Sequence, residues 1–211
     1  MTDNLSMKRA LIMQSFAPLF LILMIKYFDM EVIYLCGKFL KLVLNNPINA
    51  FAKMVVHPAN ITVFLEIFSL LWIIYSLYSV KTFENSQRAN FISEGAKIIN
   101  TEEISDTGVT FFMTYVLPMA MDDMDTLKGV ILFGILMAIL FTLMWKTNLF
   151  YQNPILTVLG YKIFSFEFEM TQLTEYRNKK CIGITRGKIN KDNSVKWQKV
   201  SDNVFIILED K

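Results

Sequence analysis

The sequence predicts a membrane α-helical protein, with four transmembrane helices followed by a small cytoplasmic β-rich domain. Three observations carry that expectation. Apolar residues gather into long, nearly uncharged blocks before residue 150, the apolar period drops to two after it, and Lys and Arg cluster at chain positions that share one side. Of 211 residues 54% are hydrophobic and 19% charged, against about 45–50% and about 25% in an ordinary soluble domain. Because the excess lies in blocks, it points to spans rather than to one oversized core.

The first block, residues 10–25 (ALIMQSFAPLFLILMI), has no charge, although Pro18 sits within it. At about 1.5 Å rise per residue it covers roughly 24 Å of a core about 30 Å thick, so the span is placed at 10–28, with Lys26 snorkelling to the interface. The second, 61–80 (ITVFLEIFSLLWIIYSLYSV), carries one charge, Glu66. The third, 109–121 (VTFFMTYVLPMAM), is short and is extended to 106–122, with local thinning of the bilayer as the alternative. The fourth, 127–146, is the cleanest.

Charge placement sets the topology. Lys8 and Arg9 precede the first span, Lys81, Arg88 and Lys97 follow the second, and Lys146 with ten further Lys/Arg follow the last. The hairpin DDMDT before the fourth span has no base. The positive-inside rule then places both termini and a loop at 81–105 in the cytoplasm, with an even number of crossings. Lys26, Lys38, Lys41 and Lys53, in the loop 26–60 that holds the outer segment, argue the other way. That segment, 30–56, contains an amphipathic run (VIYLCGKFLKLVL) stopped by Asn45-Asn46-Pro47. It reads as an interfacial helix or as a continuation of the first span packed on the bundle.

After Trp145 the chemistry changes. Phe150 and Tyr151 continue an aromatic belt, Asn153-Pro154 is read as ending the helix, and Gly160 permits a turn before Tyr161. Phe164, Phe166 and Phe168 then alternate with Ser165, Glu167 and Glu169, which is a strand with one buried face. Further short strands are expected at 180–185, 195–200 and 204–208. Together, 150–211 form a small antiparallel sheet or partly closed barrel, stabilised by docking because so small a unit is marginal alone.

Little catalytic chemistry is expected. One histidine, His57, excludes any site needing two, and Cys36 and Cys181 lack metal-ligand spacing. No cleavable signal, phosphate loop or hydrolase motif is expected. Glu66 is the sharpest polar candidate, since a carboxylate within a span is costly, although it lies near one interface where water reaches it. Asp122, Asp123 and Asp125 offer oxygen ligands but better suit a solvated outer hairpin that sets topology. Glu102 and Glu103 are placed in a polar loop. Arg177, Lys179 and Lys180 form a basic candidate docking surface for anionic lipid or an acidic partner, too short for nucleic-acid binding.

Two stretches, TFFMTYVLPM (110–119) and YQNPILTVLGYKIFSF (151–166), with four expected spans and a β tail, resemble the membrane-subunit family of the Kiwa anti-phage defence system, KwaA. The resemblance covers essentially the whole chain and implies a bacterial inner-membrane protein that senses infection at the envelope. It further implies a homo-oligomer, expected to be a tetramer, and a cytoplasmic effector partner, KwaB, acting on phage DNA. It carries over no catalytic residue and no cofactor. From the residues alone the competing class is a small oligomeric channel or transporter with Glu66 handling ions.

Overall fold

The computed structural model describes residues 4–28, 41, 44–45, 58–89, 92–104, 107–121, 124, 126–170, 174–176, 179–187 and 194–209. The chain begins as one apolar rod in two pieces, α1 (Leu5–Ser15) and α2 (Ala17–Tyr27). Asn4 starts it, its side chain accepting from the Met7 N–H at 3.2 Å. The rod breaks at Phe16 because Pro18 has no N–H for the Gln14 carbonyl and its ring crowds that turn. The Ser15 hydroxyl donates to the Leu11 carbonyl at 2.9 Å.

Helix α3 (Pro58–Ala89) returns antiparallel. Trp72 Nε1 donates to the Met13 carbonyl at 3.2 Å, and Phe16 and Phe20 pack on Trp72 with ring centroids 6.5 and 4.6 Å apart. Ser69, Ser76 and Ser79 are buried on α3, where small side chains let backbones approach closely without a large hydrophobic drive.

Helix α4 occupies 107–121. It is α-helical over Thr107–Phe111 and Leu117–Met121 and π-helical over Phe112–Val116. The widening has a local cause: Pro118 cannot donate to Thr114, and the Leu117 N–H reaches back to the Phe112 carbonyl. Helix α5 (Leu127–Thr147) is capped by Thr126, whose hydroxyl accepts from the Gly129 N–H at 3.1 Å.

Three described stretches, Leu5–Tyr27, Ile61–Asn85 and Leu127–Thr147, are long and apolar enough to cross a membrane, and Gly108–Met119 is a shorter apolar helix. The chain from the start of α4 to Met124, just beyond its end, links the two ends of the bundle. At one end a side chain on Gly108 would meet Thr157 Oγ1 and the Pro154 backbone, and at the other the Met124 N–H donates to the Tyr27 hydroxyl at 2.9 Å.

The stretch expected as a loop at 81–105 is structured differently. Helix α3 continues to Ala89, and β1 (Ile92–Glu103) follows it. This strand joins β2 (Lys162–Met170), β3 (Cys181–Thr185), β4 (Val195–Ser201) and β5 (Val204–Glu209) in a closed barrel of order β1-β2-β3-β5-β4. All pairs are antiparallel except β3 with β5. The β unit expected at 150–211 is therefore completed by a strand from between two helices. Glu102 and Glu103 lie on that strand, ion-paired to Lys180 at 3.1 Å and Lys162 at 3.0 Å.

The barrel interior is aromatic: Phe164, Phe166, Phe168, Tyr176, Trp197 and Phe205 form one cluster with Cys181 and Ile98. Burying each large ring contributes roughly 1.5–3 kcal/mol. Gly183 stands opposite Phe164 in the register, and a Cβ there would run into the phenyl ring. Alternation on β5 sends Phe205 and Ile207 inward, while Val204 and Ile206 join Ile184, Val200 and the helices in a second, larger core. The docking expected of this small unit is thus made within the chain.

Candidate functional site at the junction of helices and barrel

Four segments meet at one end of the helices. Lys8, on α1, is 6% exposed. Its Nζ donates to Asn148 Oδ1 at 2.6 Å and to Ser201 Oγ at 3.4 Å, and Ser201 Oγ donates to the same asparagine oxygen at 2.9 Å. The Trp145 and Phe150 rings lie 5.4 and 5.5 Å from Nζ. No carboxylate among the described residues pairs with this ammonium. Burying a lone cation is costly, and here oxygen acceptors and two ring faces offset the lost water. The Asn4 N–H donates to the Val200 carbonyl at 3.0 Å, so the first turn of α1 is fastened to β4 both by backbone and by side chain.

The junction 148–161 is a folded connector. Helix α5 ends at Thr147 with Asn148 left-handed at φ 58°, a conformation that asparagine tolerates better than most residues. A 3₁₀ turn, Leu149–Gln152, leads to the short helix α6 (Pro154–Val158). Asn153-Pro154 therefore starts a helix, correcting the expectation that it ends one. Asn153 Oδ1 accepts from the Ile155 N–H at 2.9 Å, and a proline at the first helical position loses no bond. The other end of the same buried side chain donates to the Leu11 carbonyl at 3.1 Å and to Gln14 Oε1 at 3.4 Å, clamping α6 to α1.

Gly160 closes α6. At φ +79° it allows its own N–H to reach the Thr157 carbonyl at 3.0 Å and the Tyr161 N–H to reach Leu156 at 2.9 Å, the bond pair of a Schellman cap, with Leu156 and Tyr161 both buried as its apolar contact. Tyr161 meets Phe83 of α3 at 5.8 Å and lies beneath the Arg186 guanidinium at 5.8 Å. Arg186 also faces Glu84 at 3.6 Å. Half-buried Tyr151 packs on the helical core.

The sequence-expected junction residues Tyr151, Asn153, Pro154, Gly160 and Tyr161 all lie on this connector, each with its own partners. Lys8, Asn148, Ser201, Glu84 and Arg186 complete the site and were not foreseen. Only Asn148, following an apolar run, carried a usable signal, that of a helix C-cap.

The other candidates lie apart. Glu66 sits on α3 in the half away from the barrel, with Oε2 buried and lacking a hydrogen-bond partner. Lys179 and Lys180 are exposed before β3, and the Lys180 ammonium holds the Glu102 carboxyl below the usual carboxylate range. Asp122, Asp123, Asp125, Arg177, Cys36 and His57 lie outside the described residues, as does nearly all of the outer segment 30–56. Cys181 faces the barrel interior, where burial pushes its thiol up to about 11; at neutral pH it is a protonated core residue.

Comparison with known proteins gives a consistent result. The model of a family described as anti-phage protein KwaA matches residues 7–206. A curated relative, the Kiwa protein KwaA of Escherichia coli O55:H7, is 23% identical over 146 residues, 69% of this chain and 73% of the relative. No solved structure matches.

Proposed function

The chain belongs to the KwaA family of anti-phage proteins, and we propose that within Kiwa defence it acts as a non-catalytic membrane relay. It senses infection at the envelope and passes that event through the barrel to a cytoplasmic effector subunit that acts on DNA. The observation that carries this reading is the origin of β1. One wall of the barrel is a strand lying between α3 and α4, while α1 is fastened to β4. Two residues separate α3 from β1 and three separate β1 from α4, so a shift of the helices by an ångström or two is expected to reach the barrel as a change between discrete packings.

In this reading α4 completes four crossings, both termini and the barrel lie in the cytoplasm, and copies of the chain assemble into a homo-oligomer, a tetramer being the expected form. The placement of Gly108 beside α6 and of Met124, just beyond α4, beside Tyr27 supports the even count. The effector meets the exposed barrel face around Lys179 and Lys180.

The test separates coupling from abundance. Asn153→Ala loosens the clamp on α1, and the expected outcome is a chain that still reaches the membrane and still captures the effector but protects cells poorly against phage. Full protection by a chain lacking residues 150–211 would sink the relay.

A second reading is favoured by the unpartnered Glu66 oxygen: a small oligomeric channel in which that carboxylate handles ions. Planar-bilayer current that disappears in Glu66→Gln would favour it, and an ion-tight bilayer would count against it.

A further inference from the structure

A polar cleft of about 310 Å³ lies between the first turns of α1 and the barrel-proximal half of α3, lined by Ser6, Arg9, Tyr75, Tyr78, Ser79 and Thr82. It adjoins the Lys8 node through the Trp145 ring, which both cations face, but buried Lys8 does not line it and exposed Arg9 does. Arg9 has no carboxylate partner among the described residues, and its guanidinium is steadied over the Trp145 ring at 5.8 Å. Glu84, the acid that follows on α3, is engaged with Arg186. The cleft is therefore lined by one basic residue and several that bear hydroxyls, and none of the described residues lining it is acidic.

The hydroxyls are of two kinds. Thr82 Oγ1 donates to the Tyr78 carbonyl at 3.0 Å, so it shapes the wall. Ser6, Tyr75, Tyr78 and Ser79 supply the donors. A planar guanidinium beside neutral O–H groups is the arrangement that phosphate oxygens accept best, by charge-assisted bonds a lone ammonium cannot match geometrically. The surface next to the cleft is apolar: Leu70, Leu71 and Ile74, in the turns of α3 toward the bundle centre, are 49%, 59% and 56% exposed. A ligand seated here has its anionic head in the cleft and a greasy surface along which its tails lie. Tyrosines at this level are typical of the headgroup zone.

We propose that the cleft binds the phosphate of an anionic phospholipid from the leaflet nearest the barrel. This rests on the reading that α1–α2 and α3 cross the bilayer. A bound headgroup bridges α1 and α3 beside the barrel, so lipid composition there tunes how firmly the two helices are held together.

The test is native mass spectrometry of the full chain released from detergent micelles, with phosphatidylglycerol or phosphatidylcholine added. The expected result is retention of phosphatidylglycerol about tenfold better than of phosphatidylcholine, lost in Arg9→Gln and partly kept in Arg9→Lys. The double change Tyr75→Phe with Tyr78→Phe, which keeps the rings and their packing, is expected to weaken retention severalfold. Equal retention of the two lipids overturns the proposal. So does a loss in Lys81→Gln as large as in Arg9→Gln, which signals diffuse attraction, or displacement by glycerol phosphate at matched concentration, which assigns the cleft to a free phosphate ester. None of these readouts involves phage protection, so failure of the lipid site and failure of the relay are seen separately.

Discussion

Helices Leu5–Tyr27 and Leu127–Thr147 are alike in length and both apolar enough to span, yet 56% of the most apolar stretch of the first is buried within the chain and only 11% of that of the second. The less apolar helix is the inner one. It buries Lys8, Gln14 and Ser15 alongside Leu11, Phe16 and Phe20, whereas the second exposes Ile131, Ile135 and Ile139 beside an apolar cleft of about 310 Å³ that parts it from α3. Hydropathy reports what a segment tolerates around it and leaves open which neighbour supplies it. In a membrane, lipid tails are as apolar as leucine, so the specific contacts fall to rings, small residues and polar groups; of the two helices it is the N-terminal rod that buries polar side chains, Lys8, Gln14 and Ser15.

The comparison breaks most visibly at Phe16, which is 1% exposed and touches Trp72, Phe111 and Phe141. Phe16→Ala is expected to cost about 3–5 kcal/mol, while Ile135→Ala on the exposed helix stays within about 0.5 kcal/mol. Thermal unfolding in detergent measures both, and equal losses would erase the distinction drawn between the two rods.

Next in size is the node that ties the inner rod to the barrel. Asn148→Gly keeps the left-handed conformation but leaves the buried Lys8 ammonium without its 2.6 Å acceptor. The expected loss is roughly 1.5–3 kcal/mol, accompanied by faster proteolysis of the barrel. A barrel as resistant as the parent's would mean the fastening matters less than the aromatic packing around it.

A smaller effect is expected at the cap of α6. Gly160→Ala places a side chain at φ +79°, at a cost of roughly 1–2 kcal/mol. It disturbs the outer helix's connector without touching α1, so its effect on stability should exceed its effect on the Leu11–Asn153 contact, as followed by hydrogen exchange.

The smallest concerns pH. The folded Glu102 carboxyl titrates below its ordinary value of 4.5, chiefly because Lys180 donates to it. Its contribution is complete above the unfolded value and fades as pH falls through the folded one. On an exposed strand the effect is slight. Comparing unfolding midpoints of the parent and Glu102→Gln between neutral and acidic pH should show the difference shrinking in acid.

Much of this architecture was legible in the residues. The apolar blocks announce the three long helices, and Phe164, Phe166 and Phe168 announce β2, because a period of two leaves few alternatives. The strand at 92–103 was not. ISEGAKIINTEE holds only scattered isoleucines, and its ladder is irregular between Lys97 and Ile98 and again between Ile99 and Glu102, around Asn100 at φ 53°. Those bulges destroy the alternation that would reveal a strand, and its pairing partners lie far along the chain. Lys8 is legible as a charge that helps set the topology but not as a buried donor, since its acceptors Asn148 and Ser201 are distant in sequence and neither is acidic. Asn153-Pro154 was visible as punctuation, yet the same dipeptide closes one helix or opens another, and only the geometry of Leu11 decides.

The interleaving of β1 also sets an order of events during synthesis. The ribosome releases residues 92–103 well before the partners at 162–209 exist, and the chain emerges from its N-terminal end first. That early strand must wait, edges unpaired, until the α4–α5 hairpin has been laid down and the tail has followed. Sealing of the barrel therefore comes last: β1 pairs with β2 and β4 only after α4 and α5, which lie between them in the chain, have been made.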